Sequence, residues 1–271
     1  MRRIIRHSRP LIHFSFVIAL TLATTVVSTA VTAATHGASS VIRGIAQSTV
    51  ASTDKPLHLV SRTGSVEGPI PYIVIEPAEG PADLPLVIAL HGRGSTNERF
   101  VRLLEALQLP ARIIVGNGPM PWGMKGGRRW FDLAAADRDQ QIAKRVDDLV
   151  ALSDKLEAQW PKAPKATLLG FSQGGILALH ALLEHPQRWR AVIALSADLR
   201  APRLGRFVSQ AVPTLLTVGM RDRIIMPGRS FAAAWTLEAL GHQPEVFSFP
   251  GGHTVSPAVR RRISEFLGDL P

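Results

Sequence analysis

The pentapeptide Gly170-Phe171-Ser172-Gln173-Gly174 sets a hydroxyl between two glycines, with the apolar run "ATLL" before it and "GILALHALL" after it. A strand that turns at once into a helix forces its corner residue into a strained conformation, and flanking glycines remove Cβ atoms that would collide there. Ser172 at such a corner stands at a helix N-terminus, where free N–H groups and the helix dipole favour developing negative charge. A serine that merely caps the helix is the plainer alternative. Acyl transfer separates the two. A serine hydroxyl is a weak nucleophile until a histidine takes its proton, and that histidine needs a carboxylate to orient it.

In strand-turn-helix sites of this kind the acid and then the histidine follow the serine along the chain. Of the nine histidines, His7, His13 and His36 lie near the N-terminus, and His58 and His91 precede the serine. His180 and His185 sit on or just after the corner helix, and His242 precedes the last strand. His253, in "FPGGHTVSP", comes directly after that strand, with Gly251 and Gly252 freeing its loop. Asp222, in "LLTVGMRDRIIMP", follows a strand end between serine and histidine; Asp198, in "ALSADL", is the rival. Asp222 is preferred because its strand is the later one, so that its loop should lie beside that of His253. The tetrahedral intermediate also needs two donors for its oxyanion. These are expected to be the backbone N–H of Gln173, the residue after the nucleophile, and that of Arg93 in the early loop "LHGRGS". That loop has neither the Walker spacing nor G-x-G-x-x-G, so no nucleotide cofactor is expected.

These residues need a scaffold that brings distant loops to one edge. The runs "PYIVIEP", "LPLVIALHG", "ARIIVGN", "ATLLGFS", "RAVIALS", "PTLLTVG" and "EVFSFPGG" predict strands, several apolar on both faces. Helical spacing is found at about 96–107, 139–160, 174–185, 229–240 and 256–268. Strands buried on both faces and joined by helices predict a mostly parallel central sheet with helices on both faces and reactive groups at the carboxyl ends of its strands. Residues 116–139 have no clear periodicity, and a connection of that length is more often functional than idle. Its Met120, Trp122, Met124, Trp130 and Phe131 are candidates to line an acyl pocket, or else to pack beneath the loop.

Length and composition fit one large domain: 271 residues, 46% hydrophobic and 19% charged. The first acid is Asp54; before it come Arg2, Arg3, Arg6 and Arg9 and then an apolar run from Leu11 to about Val31. This is the plan of an export signal, with small residues favouring a cut after Ala33, or alternatively after Ala30. An uncleaved membrane anchor, a mitochondrial presequence and a twin-arginine signal are the alternatives. The expected organisation is therefore a leader over 1–33, a small, polar linker over 34–56 and a catalytic domain over 57–271, the protein being periplasmic or secreted. Formal charge is +10, and without the four leader arginines it is +6. The remaining basic residues are scattered apart from Arg260-Arg261-Arg262, and aromatics are 6%, which argues against nucleic-acid binding. The absence of cysteine rules out disulfides, thiol redox chemistry and thiolate metal sites.

With these residues assembled, the chain resembles the phospholipase/carboxylesterase family of α/β-hydrolases over about Leu84 to Leu267. "LHGRGS" is similar to the family's oxyanion loop, "RRWFD" to its W-F/Y-D segment, and "GFSQGGILALHALLEHPQRWRAVIALSADL" to its nucleophile block; "VGMRDRIIMP" and "PGGHTV" resemble its acid and base loops. The resemblance implies a triad of Ser172, Asp222 and His253, oxyanion donors at Arg93 and Gln173, a small-molecule ester as substrate, and no metal or cofactor. Val218-Gly219 and Ser196-Ala197 depart from the family's usual His-Gly and Ser-Gly, which touches substrate preference more than catalysis. Within the same fold the rival readings are a thioesterase, a lysophospholipase and a catalytically silent binding protein. Export argues against an intracellular protein-deacylating role.

Overall fold

The computed structural model describes residues 56–64, 68–199, 208 and 210–270. The leader expected over 1–33 and, Pro56 apart, the linker expected over 34–56 lie outside the described residues. Eight strands form one sheet in the order β1-β2-β4-β3-β7-β8-β9-β10. They are β1 (Leu59–Thr63), β2 (Tyr72–Pro77), β3 (Leu86–Leu90), β4 (Arg112–Gly116), β7 (Thr167–Phe171), β8 (Ala191–Leu195), β9 (Thr214–Gly219) and β10 (Pro244–Phe249). β2 runs antiparallel to both β1 and β4, and every other pairing is parallel. The mostly parallel sheet of an α/β-hydrolase is thus what the chain forms.

Alternation along the strands sorts the core into two layers. Leu86, Ile88 and Leu90 of β3 face one way with Leu168 of β7 and Val192 and Ala194 of β8, beneath α2 (Arg138–Gln159), α3 (Gln173–Glu184) and α4 (Pro227–Ala239). Val87 and Ala89 face the other way with Leu169, Ile193 and Leu195, beneath α1 (Asn97–Glu105) and α5 (Pro257–Gly268). All five residues of β3, β4 and β8 are buried, which is why those runs, Arg112 apart, read as apolar rather than alternating. Helix starts follow local chemistry: Thr96 and Ser256 each accept a hydrogen bond from the N–H three residues on, and Pro227 and Pro257 open their helices.

Two features lie outside the expectation. β1 is an edge strand with four of its five residues exposed, so burial leaves no apolar pattern in it. The segment 116–139 contains a two-stranded hairpin, β5 (Met120–Trp122) with β6 (Gly127–Arg129), whose three-residue strands are too short to register as a period. The hairpin is tied to the loop after β3 by Gly94 N–H donating to Arg128 O and Arg128 N–H donating to Ser95 O, both at 2.8 Å.

Candidate active site

β7 ends at Phe171, α3 begins at Gln173, and Ser172 between them has φ 53 and ψ −115. A positive φ strains a residue that carries a Cβ, at a cost of about 1–3 kcal/mol, so surrounding contacts must impose it. They do so by backbone crowding. A Cβ at position 170 would lie 2.2 Å from Gly174 O, one at 174 would lie 2.1 Å from Leu90 O, and one at 175 would lie 2.7 Å from Ala197 Cβ. Ser172 N–H donates to Leu195 O at 2.8 Å and Ser172 O accepts from Ile176 N–H at 2.9 Å, so the corner is held from the sheet and from the helix.

The same crowding brings the β3 loop against the serine. A methyl at Gly92 would meet Phe171 Cδ1 at 3.0 Å and Ser172 Cβ at 3.3 Å. Gly94 and Ser95 N–H donate to Arg128 O and Gly92 O, whereas the Arg93 N–H has no acceptor among the described residues. Gln173 N–H, at the first position of α3, is likewise without one. These are the two donors expected for the oxyanion.

Three buried side chains hold this loop in place, a role that the sequence reading assigned neither to His91 nor to the Gln173 side chain. His91 receives Gly118 N–H at Nε2 (3.0 Å), so its proton is on Nδ1, which donates to Gly92 O at 2.8 Å. Burial holds the His91 pKa below the ordinary 6.5. Trp130 Nε1 donates to His91 O at 2.8 Å, and its ring lies 5.2 Å from the imidazole. Gln173, expected to act through its N–H alone, also uses its side chain: Oε1 accepts from Trp130 N–H at 2.9 Å and Nε2 donates to Phe131 O at 2.8 Å. The signal was present as polar residues beside glycine-rich turns, but nothing in sequence says that they are buried together.

At the other flank, β9 and β10 pair in parallel through Gly219 and Phe249, and the pairing continues into the loops: Met220 N–H donates to Phe249 O and Arg221 N–H to Gly251 O. The loops pass so closely that a Cβ at Gly219 would lie 2.4 Å from Gly252 O. Asp222 is thereby set against His253. Asp222 Oδ2 lies 2.7 Å from His253 Nδ1, while Oδ1 accepts from Ile224 and Ile225 N–H at 2.8 and 2.9 Å. With every carboxylate oxygen engaged, the side chain has little freedom to leave the imidazole. Asp198, the rival acid, lies instead 3.3 Å from Arg229 Nε.

His253 packs its ring 4.9 Å from that of Phe171, the residue next to the serine. No hydrogen bond joins Ser172 Oγ to His253 among the described residues. A serine–histidine bond that is long or misaligned in the free protein commonly closes when substrate is bound. Among the described residues no cluster of three or more histidine, aspartate or glutamate side chains could hold a metal ion.

The residues considered for an acyl pocket divide. Trp130 and Phe131 are wholly buried and serve the loop beneath, whereas Trp122 is 39% exposed and Met124 fully so. Met120 and Trp130 border a cavity of about 410 Å³ against Gln140, Gln141 and Lys144 of α2, and none of Ser172, Gln173, Arg93 or His253 lines it.

Comparison with known proteins agrees with this architecture. A family profile described as phospholipase/carboxylesterase matches residues 71–270. The esterase YpfH of Escherichia coli (strain K12) is 27% identical over 178 residues, 63% of this chain and 75% of that protein. Among solved structures, esterase PE8 is 27% identical with a TM-score of 0.64, covering 73% of this chain and 97% of the other. A carboxylesterase from Mesorhizobium loti shares the fold at 20% identity and a TM-score of 0.68, covering 77% and 99%.

Two outcomes are expected from this geometry. Gly219→Ala should push the His253 loop off Asp222 and lower kcat/KM by about 100-fold, the scale of a 1 Å misplacement, with the far-ultraviolet circular dichroism spectrum retained; unaltered activity would show that the close approach does not matter. Burial lowers the pKa of both His91 and His242 from 6.5, so between that value and the native ones the unfolded chain binds protons that the native chain does not. Stability should therefore be full above about pH 6.5 and decline as pH falls towards the lowered native values. His91→Gln should flatten the acid side of a Tm-against-pH curve, and an unchanged slope would remove His91 from that role.

Proposed function

The chain belongs to the phospholipase/carboxylesterase family of α/β-hydrolases, and from that premise we propose that it cleaves carboxylic esters through an acyl-enzyme formed on Ser172. The observation that carries this reading is the 2.7 Å contact of His253 Nδ1 with Asp222 Oδ2, on a loop whose imidazole packs beside the strained serine corner. The esterase relatives support the reaction class.

The proposed steps use the groups that converge at this corner. Asp222 accepts from Nδ1–H and so leaves the lone pair on Nε2 to take the Ser172 proton. Oγ bonds to the ester carbonyl carbon, and the carbonyl oxygen becomes an oxyanion in front of the Arg93 and Gln173 N–H groups. Collapse of the intermediate breaks the bond to the alcohol oxygen, which leaves with the proton from His253. Water then attacks the acyl-enzyme, giving one proton to Nε2; that proton returns to Oγ as the carboxylic acid departs.

The arginine-led leader supports export to the periplasm or the medium, with an N-terminal membrane anchor as the alternative. Among the described residues no helix is long and apolar enough to cross a membrane.

Ser172→Ala should reduce hydrolysis of short p-nitrophenyl esters by roughly 10⁴-fold or more and abolish labelling by a fluorophosphonate; retained turnover would remove Ser172 as nucleophile. N-terminal sequencing of protein expressed from the full chain should find Ala34 first in the soluble exported fraction, whereas an intact Met1 in the membrane fraction would favour the anchor.

A further inference from the structure

The rim of the oxyanion loop carries more positive charge than its neighbours neutralise. Arg93 follows Gly92, the residue that faces the serine closely enough for an added methyl to lie 3.3 Å from Ser172 Cβ. Its guanidinium sits 4.8 Å from the centre of the Trp122 ring and meets no carboxylate among the described residues. Arg129 approaches the same ring at 5.3 Å. One of its terminal nitrogens pairs with Asp132 at 2.8 Å, but its Nε is buried and no acceptor among the described residues reaches it. Two further arginines of this rim donate to carbonyls: Arg99 to Gly94 O and Lys125 O, and Arg128 to Gly118 O and Pro119 O. A carbonyl satisfies an N–H group without cancelling the charge behind it. Of these four guanidinium groups only that of Arg129 meets a carboxylate, that of Asp132; Glu98, the other acid close in sequence, forms no ion pair with them among the described residues.

Position as well as charge is controlled. Gly94, at φ 86, brings its Cα so near the indole that a Cβ there would lie 3.2 Å from Trp122 Cδ1. Trp122 thus lies on the oxyanion loop itself, with 39% of its surface open. An arginine seated on an aromatic ring keeps its planar N–H fork free for a carboxylate, and the weak hydration of guanidinium lowers the cost of that contact. The ring places such a fork one residue from the contact with the serine, on the residue whose own N–H is the proposed oxyanion donor.

We propose that Arg93, held by Trp122, binds a carboxylate carried by the substrate, so that the favoured substrates are half-esters of short dicarboxylic acids rather than neutral esters of the same length. This rests on the esterase reading above and narrows its substrate class. The main chain of Arg93 serves the reacting carbonyl and its side chain the remote charge, so an anionic acyl group is fixed at both ends. The charges of Arg99 and Arg128, braced by carbonyls rather than carboxylates, raise the local potential for that anion without needing to touch it.

Monomethyl glutarate and methyl pentanoate, followed by proton release, form the test pair. The wild-type kcat/KM should favour the half-ester by about tenfold, the worth of one charge-assisted contact, and about 1 M salt should compress the ratio because the Debye length falls to roughly 3 Å. Arg93→Gln should bring the ratio of the two esters close to one, whatever its effect on the turnover they share, and Arg93→Lys should restore part of the ratio. A wild-type ratio near one, or an equal loss on both esters in Arg93→Gln, overturns the proposal while leaving the esterase reading intact. A second arm does not depend on turnover. In Ser172→Ala protein, titration with glutarate should shift the indole N–H resonance assigned to Trp122 by its loss in Trp122→Phe, and Arg93→Gln should abolish that shift. No shift in the Arg93-containing protein overturns the anion site, whereas failure of both esters to turn over together with absent fluorophosphonate labelling overturns the esterase reading instead.

Discussion

The backbone of α3 meets the backbone at the end of β3 with no room for a side chain: a Cβ at Gly174 would stand 2.1 Å from the carbonyl oxygen of Leu90. Much of the candidate site depends on that approach. It presses the first turn of the helix against the strand that carries the Arg93 loop, so Gln173 N–H and Arg93 N–H arise on two elements in direct backbone contact. It also holds Ser172 at φ 53, a conformation that a relaxed strand-to-helix turn would not adopt. The strain is local, and the burial of Ile88, Leu90, Leu168 and Leu177 around it supplies the opposing stabilisation.

The two flanks of the serine are held by different physics. On the β9 and β10 side, main-chain pairing extends past the strand ends, and Gly219 lets the loops of Asp222 and His253 touch, so the two side chains meet through backbone geometry. On the β3 side, buried polar side chains do the work. His91, Trp130 and Gln173 satisfy one another and the main chain of Gly92, Gly118 and Phe131, and a network of this kind is costly to disturb because each broken bond strands a buried polar group. One flank is therefore set by chain connectivity and the other by side-chain satisfaction. The serine lies between two supports that can be altered separately.

Charge is distributed with the same asymmetry. The carboxylate of Asp222 is buried and surrounded by donors, while the hairpin side carries Arg93 and Arg129 over the exposed Trp122 indole and Arg99 and Arg128 on backbone carbonyls. Because Arg99 and Arg128 brace the hairpin through carbonyl oxygens, the bracing leaves their positive charge in place beside the loop proposed to receive a developing oxyanion. Mechanical support of the loop and its electrostatic character are in this way produced by the same residues.

The strands apart from the edge and hairpin pieces, the five described α-helices and the glycine-framed corner at Ser172 were legible in the chain, because burial on two faces imposes long apolar runs and a corner too tight for a Cβ imposes glycine. Those are constraints between near neighbours along the polymer, and near neighbours leave a pattern. β1 and the β5–β6 hairpin left none, being exposed or three residues long. The partner of His253 had two candidates until the register of β9 with β10 put Asp222 at its ring and left Asp198 to Arg229. The work of His91, Trp130 and the Gln173 side chain, and the seating of Arg93 on Trp122, likewise had no trace in spacing. Such contacts join residues tens of positions apart, and which of them meet is decided by sheet order and loop closure, quantities that only the folded chain possesses.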